Sequence, residues 1–190
     1  MNIKSYIQDS INTKSKILND EKLLQTIGGV ANIVINAYQN GNKVITAGNG
    51  GSAADAQHIA CEFMGKFLLD RPGLEAYALT TNSSILTAVG NDCGYESLFE
   101  RQLRTIAKKG DVFIGISTSG NSQNIINALK CAKEIGVIAV GLTGAVKCEM
   151  DNCCDYILHV PSTKTPIIQE SHIMVGHIIC LLVENAIFNH

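Results

Sequence analysis

Charge is scarce in this chain of 190 residues: Lys, Arg, Asp and Glu make up 17% of it, while 46% is hydrophobic. A typical soluble chain carries about 25% charged residues. The shortfall implies a surface partly covered, as by other subunits, and the apolar content excludes disorder. A net charge of -2 leaves no basic footprint, so no nucleic-acid partner is expected. No apolar signal segment opens the sequence at Met1-Asn2-Ile3-Lys4-Ser5. The longest apolar stretch, Ile178 to Val183, stops at Glu184, short of the roughly 20 residues that cross a bilayer. A cytoplasmic chain without membrane contact is expected.

Proline occurs three times, and no linker or low-complexity tract interrupts the sequence. The chain therefore reads as one domain over 1–190, with a helical arm at 1–40 and an α/β core at 41–190. No C-x-x-C pair occurs among the seven cysteines, which excludes a zinc ribbon or a thioredoxin motif. Several cysteines, such as Cys180, lie inside apolar runs and read as small buried hydrophobes that stay reduced.

What is present is a regular alternation. Apolar residues recur at helical spacing through residues 2–40, with expected breaks at Asn19-Asp20 and Gly28-Gly29. Five short, nearly continuous apolar runs follow, at 43–47, 75–79, 111–116, 137–142 and 155–160. Such runs suit strands buried on both faces of a parallel sheet. A helix after the third run has Ile125, Ile126, Leu129 and Ala132 on its inner face and a stop at Gly136. Residues 166–188 form a long helix that is apolar on most sides, hence buried. The pattern is α/β, a parallel sheet flanked by helices.

Two of the strands run into loops of glycine and hydroxyl residues: Gly48-Asn49-Gly50-Gly51-Ser52 and Ser117-Thr118-Ser119-Gly120-Asn121-Ser122. Both lie at the carboxyl ends of strands, where ligands of such sheets bind. Each opens a helix, whose free N–H groups favour an anion. A phosphate on a small, hydroxyl-rich ligand fits this chemistry. Ordinary turn and cap chemistry is the simpler explanation of one such loop, and Ser52 with Asp55 matches a capping box. Two loops at matching sheet positions favour the ligand. A dinucleotide is not supported, because the second strand ends in Leu79-Thr80-Thr81 rather than in an acid, and there is no P-loop.

The helix after Ser52 turns Ala56, Ile59, Ala60 and Phe63 to one side and His58 and Glu62 to the other. A solvated surface pair would explain them, but their helix begins at the proposed phosphate loop. The last helix adds Gln169, His172, His177 and Glu184 among apolar neighbours. For His172 a satisfied core histidine is the expected role. His58, Glu62 and His177 suit either direct acid–base work or a zinc-like ion, and spacing does not separate the two. Gln169 and His177 stand about 12 Å apart along a helix, so sharing one metal requires a long reach or ligands from different subunits.

Ala47-Gly48-Asn49-Gly50-Gly51-Ser52-Ala53-Ala54-Asp55-Ala56-Gln57-His58 with Glu62, Asn91-Asp92, the loop 117–122 and Ile168-Gln169-Glu170-x-His172 with His177 together resemble the phosphoheptose isomerase family, within the sugar isomerase (SIS) domains. The resemblance spans nearly the whole chain. It implies a flavodoxin-like SIS fold with a five-stranded parallel sheet, and a homotetramer with its sites at subunit interfaces. It implies conversion of sedoheptulose 7-phosphate to D-glycero-D-manno-heptose 7-phosphate, the first step towards activated heptose for lipopolysaccharide or capsule. By position, Ser52, Ser117, Thr118, Ser119 and Ser122 would hold the phosphate. Asn49, Gly50, Gly51, Asn91, Asp92 and Gln169 would line the sugar site. Glu62 and His177 would be catalytic, and His58, Glu62, Gln169 and His177 would bind Zn2+. Ile167 stands where the family often has Arg, so altered sugar contacts or packing are expected there. A tetrameric SIS regulator, similar to the DnaA initiator-associating protein, is the competing reading. Retention of the whole acid–base set favours the enzyme.

Overall fold

The computed structural model describes residues 2–188. The chain opens with two helices, α1 (Ile3–Leu18) and α2 (Glu21–Gln39). It then alternates through β1 (Val44–Gly48), α3 (Gly51–Met64), β2 (Ala76–Ala78), α4 (Ser83–Asp92), α5 (Leu98–Ile106), β3 (Val112–Ile116), α6 (Gln123–Glu134), β4 (Ile138–Thr143) and β5 (Tyr156–His159). The last helix is α7 (Thr165–Phe188). Short 3-10 turns occupy Tyr95–Ser97 and Glu149–Asn152.

The break expected at Asn19-Asp20 is present: Asp20 caps α2, its side chain accepting from the Leu23 N–H at 3.0 Å. The break expected at Gly28-Gly29 is not, and α2 runs through both glycines. Its buried stripe of Leu23, Ile27, Val30, Ala31 and Val34 supplies the packing that two poor helix formers cost. Gly29 lies against the Tyr156 ring at a distance that a Cβ would also fill in ordinary contact, 3.4 Å.

The sheet is wholly parallel, in the order β2-β1-β3-β4-β5. The order reverses between β1 and β3, which creates a crevice at their carboxyl ends. Gly48 pairs with Ile116, so the two loops predicted to bind phosphate start side by side at that crevice. Alternate strand residues feed two cores. Val44, Val112, Ile114 and Ile116 pack with α2, α3 and α7, while Ile45, Ala47 and Phe113 pack with α5 and α6.

By length and composition alone α7 suffices to cross a membrane, contrary to the reading of Ile178–Val183 as too short. The unbroken apolar stretch ends at Glu184, whereas the helix continues through isolated polar residues. Its buried residues run from Ile167 to Glu184 along the stripe that covers α2 and α3, which makes it a core helix. The cysteines are all free, but Cys61 and Cys93 are exposed rather than buried.

Candidate active site

Each loop is built from its own strand end. After β1, Gly50 takes φ +57° and becomes the N-cap of α3. The capping box expected of Ser52 with Asp55 therefore does not form: Ser52 lies inside the first turn, buried, its N–H donating to the Asn49 carbonyl at 3.0 Å. Asn49 exchanges two amide hydrogen bonds of 2.9 Å with the buried Asn124 of α6, and the Tyr95 hydroxyl donates to Asn49 Oδ1 at 2.8 Å. The reading of the sequence missed Asn124 and Tyr95, because both act across the gap between two loops.

The loop after β3 gathers hydroxyls. Ser117 Oγ lies 2.9 Å from Ser122 Oγ and 3.4 Å from Ser119 Oγ, and the Asn121 N–H donates to Ser119 Oγ. Ser122 is the N-cap of α6 but makes no side-chain cap bond, since its hydroxyl turns to Ser117. The first turn of α6 thus points N–H groups and hydroxyls at one place, which suits an anion. From behind, the Met150 N–H donates to the Gly120 carbonyl and the Glu149 N–H to Asn121 Oδ1. Gly120 sits at φ +68°, and a Cβ there would collide with Cys148 Sγ.

The histidine and carboxylate set forms further along α3. His58 Nε2 lies 2.9 Å from Glu62 Oε1 and 3.4 Å from His177 Nε2. One ligand atom from each of the three residues falls within 4.8 Å of the others. Two imidazoles and a carboxylate at that spacing fit a zinc-like ion. All three come from one chain; the long reach or second subunit was expected for Gln169 and His177 sharing a metal, and Gln169 is not in this group. Gln169 is held apart from this group at Gly51, where a Cβ would meet its Nε2 at 2.6 Å. A side chain at position 51 would push the Gln169 amide aside. α7 thus runs beside α3, with Gln169 at the loop end and His177 two turns on.

Asp55, one turn before His58, keeps Oδ2 without a hydrogen-bond partner among the described residues. Burial raises its pKa, and His58 works against that shift. His172 is buried as expected but only half satisfied: Nε2 lies 3.2 Å from the Thr143 carbonyl, and Nδ1 has no partner among the described residues. Burial lowers its pKa to about 4, with the Thr143 bond opposing. Glu184, the last of the polar residues noted on this helix, is buried against Arg71. Asn91 and Asp92 lie at the exposed end of α4, bonded to each other at 2.7 Å. Ile167 is 1% exposed, a packing residue at the position where the family often has Arg. Beside His177 opens an apolar cleft of about 420 Å³, with Phe67, Ile173 and Met174 in its wall.

Residues 5–144 match the SIS domain family. The chain is 64% identical to a phosphoheptose isomerase of Aneurinibacillus thermoaerophilus, over 99% of this chain and 95% of that one. It is 58% identical to phosphoheptose isomerase 2 of Campylobacter jejuni, over 98% and 92%. In three dimensions it is similar to the phosphoheptose isomerase of Neisseria gonorrhoeae, with a TM-score of 0.90 at 38% identity over 96% of this chain and 97% of that one.

Proposed function

The chain belongs to the SIS domain family, among the phosphoheptose isomerases, and from this premise we propose how its residues divide the work of isomerising sedoheptulose 7-phosphate. The product is D-glycero-D-manno-heptose 7-phosphate, which leads towards activated heptose. The observation that carries the assignment of roles is the alignment of α7 with α3. Gln169 stands at the phosphate-loop end of α3, and His177 stands at His58, seven residues or about 10 Å further along it. That separation is on the scale of a sugar phosphate whose anion and carbonyl lie at opposite ends.

Ser52, Ser117, Thr118, Ser119 and Ser122 hold the phosphate with hydroxyls and the N–H groups that open α3 and α6. Gly50, Gly51, Asn49 and Gln169 line the chain of hydroxyls, and Asn91 and Asp92 close over it from the end of α4. This remote binding orients the reacting carbons. Glu62 takes the proton from C1, and His177 gives a proton to the C2 carbonyl oxygen, so an enediol forms. Glu62 then returns its proton to C2 while His177 removes one from the C1 oxygen, which leaves the aldehyde. Charge and atoms balance, and both residues end as they began. A zinc ion held by His58, Glu62 and His177 would supply Lewis-acid polarisation of the carbonyl, and Gln169 would join it as a fourth ligand only by leaving Gly51.

We assign the protein to the cytoplasm and to a homotetramer with its sites near subunit interfaces. Support for the assembly comes from α4, which has no buried residue, and from Ile3, Ile7 and Ile11, which stand exposed in a row on α1. The test is turnover of sedoheptulose 7-phosphate by the purified protein, with and without chelator, with the product read by NMR. Turnover that chelation abolishes and zinc restores supports the reading with its metal. Turnover indifferent to exhaustive metal removal leaves Glu62 and His177 as a metal-free pair. A folded, zinc-supplied protein with no turnover overturns the reading and favours a sugar-phosphate-binding regulator.

A further inference from the structure

The segment 65–73 leaves α3 just after Glu62 and returns to β2, and one buried ion pair ties it down. Glu184 of α7 accepts from the N–H groups of Phe67, Leu68 and Leu69 at 3.2, 2.9 and 3.1 Å, and from Arg71 Nε at 2.7 Å. Both side chains are almost fully buried, 3% exposed for Arg71 and 1% for Glu184. The rest of the guanidinium caps the C-terminal turn of α3. Nη2 donates to the Glu62 carbonyl at 2.8 Å and Nη1 to the Phe63 carbonyl at 2.9 Å. A helix end has unpaired carbonyls, and here one fork of donors satisfies two of them.

A buried ion pair recovers its desolvation cost only with excellent geometry, and this one has it: the pair also meets three backbone N–H groups and two helix-end carbonyls, which an apolar pair would leave without these partners. Burial pushes the Glu184 carboxyl up, and the backbone N–H groups and Arg71 together more than offset it, leaving it below the usual carboxylate range. Four donors on one carboxylate is a rigid construction, and both ends of it lead to the reacting groups. Arg71 holds the peptide carbonyl of Glu62 itself. The strap places the Phe67 ring 5.6 Å from the His177 ring, tilted by 32°.

We infer that Arg71 and Glu184 are positioning residues for the reaction: they fix the end of α3 that bears Glu62 against the part of α7 that bears His177, and they seat Phe67 on the His177 ring. Neither touches the substrate. The inference rests on the isomerase reading for its kinetic test, and a second readout keeps the two separable. The experiment compares the full chain with Glu184→Gln, Arg71→Lys and Phe67→Leu by steady-state kinetics, thermal unfolding and histidine-selective 15N NMR of the ring nitrogens.

For Glu184→Gln we expect kcat to fall about tenfold to a hundredfold, since a misplacement of about 1 Å has effects of that size. KM should stay within about twofold, because the phosphate loops are untouched. Phe67→Leu should lower kcat less, at unchanged KM and melting temperature, and the ring signals of His177 should shift in both variants. Wild-type kcat with wild-type His177 signals in these variants overturns the inference, as does a loss of kcat that merely tracks the folded fraction. Should Glu184→Gln not fold, Arg71→Lys and Phe67→Leu decide by the same criteria. A wild type without turnover sinks the isomerase reading instead, and the ring signals alone then decide the role of the pair.

Discussion

The two ends of the proposed site, one assigned to the phosphate and one to the reacting carbons, are held in opposite ways. At the phosphate end the loops are closed from behind: Ser117 and Ser52 are buried, Asn49 is locked to Asn124, and Gly120 rests on Cys148. At the reacting end the side chains are open, with His58 about half exposed beside Glu62 and an apolar cleft next to His177. There the rigidity lies one layer away, in the buried Arg71 and Glu184. On the proposed reading, binding a phosphate needs donors that do not move, and the loops assigned to it are braced from within the chain. Moving a proton needs groups that the substrate can reach, and the side chains assigned to that step are open.

The contrast breaks most directly at Glu62. Glu62→Gln should lower kcat by about a thousandfold, the scale of a lost general base, with KM changed little. A comparable rise in KM, read from steady-state kinetics, would place Glu62 at the binding end instead. Gly120→Ala should act on the closed end alone. It sets an L side chain at φ +68° against Cys148 and Thr143, and should cost about 3 kcal/mol or more in thermal or urea unfolding. A stable, tight-binding Gly120→Ala protein would show that the loop yields rather than holds.

Acid should loosen the closed end as well, through His172 beneath Thr143. Its folded pKa of about 4 lies below the unfolded value of about 6.5, so the unfolded chain binds the proton more readily between them. Stability is then full above about pH 6.5 and falls as pH drops towards 4, by about 3 kcal/mol in all at 1.36 kcal/mol per unit. His172→Gln should flatten that slope in unfolding measured from pH 7 to 4. The smallest effect should come from Ser119→Ala. Loss of one hydroxyl on the phosphate should raise KM about tenfold at constant kcat. A fall in kcat there would mean that the two ends are less separate than their construction indicates.

Much of this contrast was legible in the sequence, and the reason is local. The strands announced themselves through apolar runs, and each observed strand falls within about one residue of its expected run. The two loops were visible because their glycines and hydroxyls are contiguous. His58 and Glu62 were visible as an outward pair four residues apart. The supports were not legible, because they join distant segments. Asn124 meets Asn49 across 75 residues, and Glu184 meets Arg71 across 113. A signal for the second pair did exist: one carboxylate inside an apolar helix needs a buried cation, and Arg71 sits in a loop otherwise bare of cations after Lys66. Gly28-Gly29 misled for the opposite reason, since local propensity yielded to the packing of α2.

Because Gln169, His177 and Glu184 all stand on α7, that helix can vary in composition far more easily than in length. Removing one residue between Gln169 and His177 would rotate everything beyond it by about 100° and draw it back by 1.5 Å. His177 would leave His58, and Glu184 would leave Arg71, in a single step. The turn at 161–164 before α7 has no such register to keep. Over evolutionary time, insertions and deletions should therefore collect before Thr165 and be absent from 169–184, whereas exchanges such as Ile for Val on the same helix should be common.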